Sequence, residues 1–140
     1  MNLTLLLTEE ISILNYHNLN KINFMSVHEM PFDKLSFSKS ENENVYVVAE
    51  FVSDRTFAME LKKIEIWEII QKMTKFIFNI PSGIFPKNNA QPINVYENDD
   101  KTFRMNYDEK LFHMIVHNPK HSHTFSYNQR QIADLIKFLL

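Results

Sequence analysis

Two stretches of this chain run in the same way from strand into helix: RTFAMELKKIEIWEII, residues 55–70, and HTFSYNQRQIADLIKFLL, residues 123–140. A shift of 68 residues lays Thr56-Phe57 on Thr124-Phe125, and with them Val27 on Val95, Glu29 on Glu97, Glu41 on Glu109, Val48 on Val116 and Ile64 on Ile132. Apolar positions coincide under the same shift: Leu35 with Phe103, Phe37 with Met105, Tyr46 with Met114, Val47 with Ile115, Met59 with Tyr127 and Trp67 with Leu135. Side chains alternate between the faces of a strand, so apolar positions that match over several strands point to one unit written twice.

The first half reads as short strands. LTLLL and ISILNYH fall within residues 1–17, followed by KINFMSVHEM, DKLSFSKS, VYVVAEFV and RTFAMEL; DKLSFSKS sets Leu35 and Phe37 opposite Ser36 and Ser38, and VYVVAEFV has the composition of a strand buried on both sides. A helix is expected over about residues 62–78, its core stripe Ile66, Ile69, Ile70, Met73 and Ile77, widened by Ile64, Trp67 and Phe76. NIPSGIFPKNNAQP concentrates Pro, Gly and Asn and marks a linker at 81–92. Beyond it INVYEN, KTFRMNY, KLFHMIVHN and HTFSY read as four more strands. The closing helix is expected over about 128–140, opened by a Ser126–Gln129 capping box and buried along Ile132, Leu135, Ile136 and Leu139. The expected fold is therefore α+β, a tandem pseudo-two-fold repeat of four antiparallel strands and a helix (ββββα twice). Residues 1–80 form the first repeat and 93–140 the second, in one compact unit.

In this order of elements the chain resembles the Whirly group of single-strand nucleic-acid-binding proteins and the related transcriptional coactivators, which dimerise one such unit. The closing HTFSYNQRQIADLIKFLL is similar to the strand, polar helix start and amphipathic helix that end the coactivators. The resemblance is one of layout over nearly the whole chain, and it implies a non-catalytic protein that binds single strands on a sheet. The charge departs from the family: 15 basic and 17 acidic side chains leave a formal −2, where those proteins present a basic face, so any polyanion site here is a local patch.

That patch is sought in residues 101–131, where cations interleave with aromatic rings as single-strand binding requires. The candidate nucleic-acid-binding residues are Lys101, Arg104, Tyr107, Lys110, Lys120 and Arg130, with Tyr107, Arg104, Lys101 and Lys110 expected on the surface. Phe103, Phe112 and Phe125 have the core as their ordinary destination. Four histidines crowd HMIVHNPKHSH: His113, His117, His121 and His123. His117, His121 and His123 are the candidate metal ligands, but solvated loop histidines are the commoner outcome and no metal or other cofactor is expected.

Chemistry is otherwise sparsely provided. The single glycine, Gly83, excludes Gly-rich phosphate loops, and the absence of cysteine excludes disulfides and thiolate chemistry. The carboxylate groups Glu41 with Glu43, and Glu97 with Asp99 and Asp100, sit in polar turns, and no nucleophile-base order stands out. The expectation is a non-enzymatic binding protein. The alternative is a protein-protein interaction module such as a small inhibitor, immunity or accessory protein of a phage or other mobile element. The apolar run at the start is too short to span a bilayer, so a soluble cytoplasmic protein is expected, its partner single-stranded nucleic acid or a protein, a second copy included, and no membrane.

Overall fold

Period-two alternation turns each half of the chain into a four-stranded antiparallel meander. The computed structural model describes residues 24–31, 34–50, 56–80 and 94–140; the strands expected within 1–17 and the linker expected at 81–92 lie outside them. The elements are β1 (Phe24–Glu29), β2 (Leu35–Ser40), β3 (Val45–Glu50), β4 (Thr56–Leu61), α1 (Lys63–Ile77), β5 (Asn94–Asn98), β6 (Lys101–Tyr107), β7 (Phe112–Asn118), β8 (His121–Tyr127) and α2 (Gln129–Leu139). The sheets run β1-β2-β3-β4 and β5-β6-β7-β8. This is the α+β layout ββββα, twice. The chain divides into two compact units, Met1–Lys63 and Ile64–Leu140, so the division falls at the start of α1.

In the first unit, cross-strand rows build the core face: Leu35 beside Ala49 beside Phe57, Phe37 beside Val47 beside Met59, and Val45 beside Leu61. All eight side chains are buried. Val48, on the other face, is buried too, as the composition of β3 foretold. The β2–β3 connection is a turn closed by Glu43 N–H donating to Ser40 O at 3.1 Å, with Glu43 at φ 70°. A turn followed by a left-handed residue is a favoured three-residue hairpin loop, usually completed by glycine, which this chain scarcely uses.

The second unit repeats the pattern with larger side chains. Its rows are Tyr96–Phe103–Val116, Met105–Met114–Phe125 and Tyr107–Phe112–Tyr127, every member buried. Helix α1 is seated in this unit by its end: the Phe76 ring lies 5.6 Å from Tyr107 and 5.6 Å from Phe112, which stack on each other at 6.1 Å. Aromatic pairs at such distances add about 0.5–1.5 kcal/mol beyond burial. Glu68 accepts from the Tyr96 hydroxyl at 3.1 Å, and Ile80 O accepts from the Tyr107 hydroxyl at 2.6 Å.

Both helices end or begin as their residues dictate. At the C-terminus of α1 the Asn79 N–H donates to Phe76 O and the Ile80 N–H to Lys75 O, with Asn79 at φ 58°. That is a Schellman motif, with Asn in the position glycine usually takes. Gln129 of α2 reaches the same place, donating to Asn79 Oδ1 at 2.9 Å. The expected Ser126–Gln129 capping box is corrected by two residues: Asn128 caps α2, accepting from the Gln131 N–H at 2.9 Å while Gln131 Oε1 accepts from the Asn128 N–H. Two box patterns overlap here, and β8 runs on to Tyr127, which leaves Ser126 in the strand.

The uniform 68-residue shift is also corrected. Equivalent core rows differ by 68 between Phe37 and Met105, by 67 between Val47 and Met114, and by 66 between Met59 and Phe125. From β2 to β4 the connections of the second half are shorter, so the offset shrinks over these strands, whereas His28 and Asn94, which pair with Phe37 and Met105, already differ by 66. A shift of 66 carried into the helices lays Ile66 on Ile132, Ile69 on Leu135 and Met73 on Leu139, all buried. Ile64 and Trp67, which the longer shift had matched to Ile132 and Leu135, are instead 64% and 52% exposed. Two residues of slip rotate a helical position to nearly the opposite side.

Replacing Asn79 by alanine, which resists positive φ and cannot accept from Gln129, is expected to cost about 1–2 kcal/mol of unfolding free energy. Asn79→Gly should cost less than half of that, as read from urea denaturation of each variant.

Candidate functional site

The pleat that buries one face of the second sheet opens the other. On β6, Phe103, Met105 and Tyr107 point inward, and Thr102, Arg104 and Asn106 occupy the opposite face. Cross-strand pairing extends that face into a grid: Glu97, Thr102, His117 and Ser122 form one row, Val95, Arg104, Ile115 and Thr124 the next, and Asn106, His113 and Ser126 the third. None of these side chains is buried, and no Phe, Tyr or Trp stands among them.

Arg104 is the one cation in the grid and holds its centre. Its Nε and the neighbouring Thr102 Oγ1 are shielded from solvent and have no hydrogen-bond partner among the described residues. Shielded donors left unpaired cost about 1–3 kcal/mol each, so the pair presents an unmet demand for an acceptor.

The remaining predicted binding residues are dispersed by the same geometry. Tyr107 is corrected: it is buried at 9% exposure, stacked on Phe112, and burial pushes its hydroxyl pKa up. Its place in the inward series of β6 leaves no other outcome. Lys101 is half-buried at the far end of β6, where burial pulls its ammonium below the ordinary lysine value although Asp99 and Asp100 act in the opposite direction. Lys120, exposed in the β7–β8 turn, shares that end. Lys110 and Arg130 are exposed at the other end, beside the β6–β7 turn and in the first turn of α2. The ends of a seven-residue strand stand about 20 Å apart, so the six residues form no single patch.

Alternation separates the histidines as well. His117 lies on the open face, and His121 and His123 fall in the inward series of β8, the latter edge-on to Phe125 at 4.6 Å. Among the described residues, no three His, Asp or Glu side chains are placed to hold a metal ion.

One constellation escaped the sequence reading. His113 joins Ser126 Oγ through Nδ1 at 2.8 Å and Asp108 Oδ2 through Nε2 at 3.1 Å. The register that sets His113 opposite Ser126 creates the first contact, and it is invisible until strand pairing is known. Asp108 Oδ1 also accepts from the N–H groups of Lys110 and Leu111, both at 2.8 Å, which shapes the β6–β7 turn. Partial burial works to raise the Asp108 carboxyl, but these N–H groups and the His113 ring outweigh it and hold the pKa below the usual value.

No family model, curated protein or solved structure matches this chain. No helix among the described residues is long and apolar enough to cross a membrane.

A carboxyl whose pKa is lowered by folding stabilises the fold above its unfolded value, near about 4, and that contribution fades as the pH falls through the lower folded value. Between about pH 5 and pH 3 the native chain should therefore lose more unfolding free energy than Asp108→Asn. The difference is expected at about 0.5 kcal/mol because the site is largely solvated, and is measured by denaturant titration at each pH.

Proposed function

We propose that this chain is a non-enzymatic cytoplasmic binding protein that takes single-stranded nucleic acid on the open face of its second sheet. The observation that carries this reading is Arg104, a guanidinium whose shielded Nε has no hydrogen-bond partner among the described residues, at the centre of a grid of hydroxyl, amide and imidazole side chains. A planar fork of donors suits a phosphate or a base edge, and the surrounding Thr, Ser, Asn and His side chains suit hydrogen bonds to exposed bases. The Whirly-like order of strands and helices supports the same choice of ligand.

The open face bounds how such a ligand is held. With one arginine and no large ring on it, affinity comes from uncharged hydrogen bonds and a single strong cationic contact rather than from a basic track or a stacking platform. A second reading, a protein-interaction module, is favoured by a different observation: Ile64, Trp67 and Phe78 are exposed apolar side chains on and just after α1.

Anisotropy titration of a labelled mixed-sequence oligonucleotide of about 20 nucleotides tests the first reading. Binding should weaken with salt at a slope of about −0.7 to −1.4 in log K against log salt, the signature of one or two phosphates. Arg104→Ala should reduce affinity about tenfold or more. Absence of binding at low salt, or an unaffected Arg104→Ala variant, would overturn it.

A further inference from the structure

A second surface lies at the end of the same unit where the C-terminus of α1, the β6–β7 turn and the N-terminus of α2 meet. We propose that this corner docks an acidic amphipathic segment of a partner protein. The inference rests on the protein-interaction reading and uses no residue of the open sheet face.

Three large apolar side chains stand exposed here: Phe78 at 69%, Ile80 at 46% and Leu111 at 36%. Named bonds bring them to one place. Ile80 O accepts from the Tyr107 hydroxyl, and the turn that follows Tyr107 closes through the Asp108 N–H donating to Leu111 O at 3.0 Å. Asn79, between Phe78 and Ile80, receives the Gln129 side chain from α2. Single exposed apolar residues are ordinary on protein surfaces, but two from the end of α1 beside one from the β6–β7 turn resemble the apolar centre of an interface.

The charges around them select the partner. Lys75 lies in the last turn of α1, Lys110 adjoins Leu111, and Arg130 follows Gln129. All three are exposed, and none has an ion-pair partner among the described residues. Helix α2 has no acidic residue in its first turn, so Arg130 adds to the positive end of the helix dipole. Of the nearby carboxylates, Asp108 is engaged by its own turn and by His113, which leaves Glu109 and, one turn after Arg130 on α2, Asp134, against Lys75, Lys110 and Arg130. In a chain of net charge −2 this is a local excess of positive charge, and its complement is a segment carrying carboxylates beside apolar side chains.

Other occupants fit less well. A second copy docked isologously would bring these cations against their own images. Stacked bases need ring faces, and two of the three apolar side chains are aliphatic.

The test is a titration of the 15N-labelled full chain, followed by NMR. The probe is a capped peptide of two copies of Leu-Glu-Glu-Leu-Leu-Glu-Glu, and its uncharged twin carries Gln in place of every Glu. The acidic peptide should shift the amides of residues 75–80, 110–111 and 129–130, saturating with a Kd below about 100 µM. The twin should bind about tenfold more weakly or worse. A Phe78→Ser, Leu111→Ser double variant should lose the response while its spectrum otherwise overlays the native one, and Arg104→Ala should keep it. The proposal is overturned by an absence of shifts up to about 1 mM peptide, by equal binding of the twin, or by these amides responding to an oligonucleotide or to phosphatidylserine vesicles and not to the acidic peptide.

Discussion

The pleat of β6 governs what the second unit can present. Seven residues in one extended strand send Phe103, Met105 and Tyr107 to one side and Thr102, Arg104 and Asn106 to the other. Hydrogen bonding to β7 repeats the division, with Phe112, Met114 and Val116 joining the rings and His113, Ile115 and His117 joining the polar grid. A strand that separates Phe103 and Tyr107 from Arg104 in this way cannot offer those rings and that guanidinium to one ligand. The unit therefore has an apolar face that is consumed in folding and a hydrogen-bonding face with a single guanidinium.

The inward rings also determine where α1 ends. Phe76 enters the space beside Tyr107 and Phe112, and the Tyr107 hydroxyl reaches past it to the Ile80 carbonyl. With α1 anchored there, its Schellman motif meets Gln129 at the start of α2, and a helix end, a hairpin turn and a helix start come together. The grouping of exposed apolar side chains and cations at that corner follows from the anchoring. Neither Phe78 beside Lys75 nor Leu111 beside Lys110 says anything alone. Tertiary structure makes them neighbours.

Among the described residues, the four-strands-then-helix order of each half and the positions of both helices were legible in the sequence, because alternation and helical spacing are local signals. The repeat was legible as well, but its register was not. Thr-Phe recurs at 56–57 and 124–125, and that identity draws the alignment to a 68-residue shift, whereas the cross-strand rows place Met59 against Phe125 at 66. Identity weighs one residue pair, and burial weighs whole rows. In β4 the error is two residues and preserves the face, but in β3 it is one residue and laid the buried Val47 on Ile115 of the open face, and in α1 it moved Ile64 and Trp67 into an expected core they do not occupy. Tyr107 was misplaced for another reason. Its hydroxyl and its cationic neighbours suggested a surface, but its position two residues beyond Met105 committed it to the interior. The contacts of His113 with Ser126 and Asp108 depend on strand pairing and had no sequence signal at all.

Side-chain contacts of the Phe76 ring, read from nuclear Overhauser effects in the full chain, test the central claim most directly. The account predicts strong effects from Phe76 to both Tyr107 and Phe112, with none from Tyr107 to Arg104. A Phe76 ring without contacts to β6 and β7, or a Tyr107 ring close to Arg104, would contradict the one-sided division from which the open face and the corner both follow.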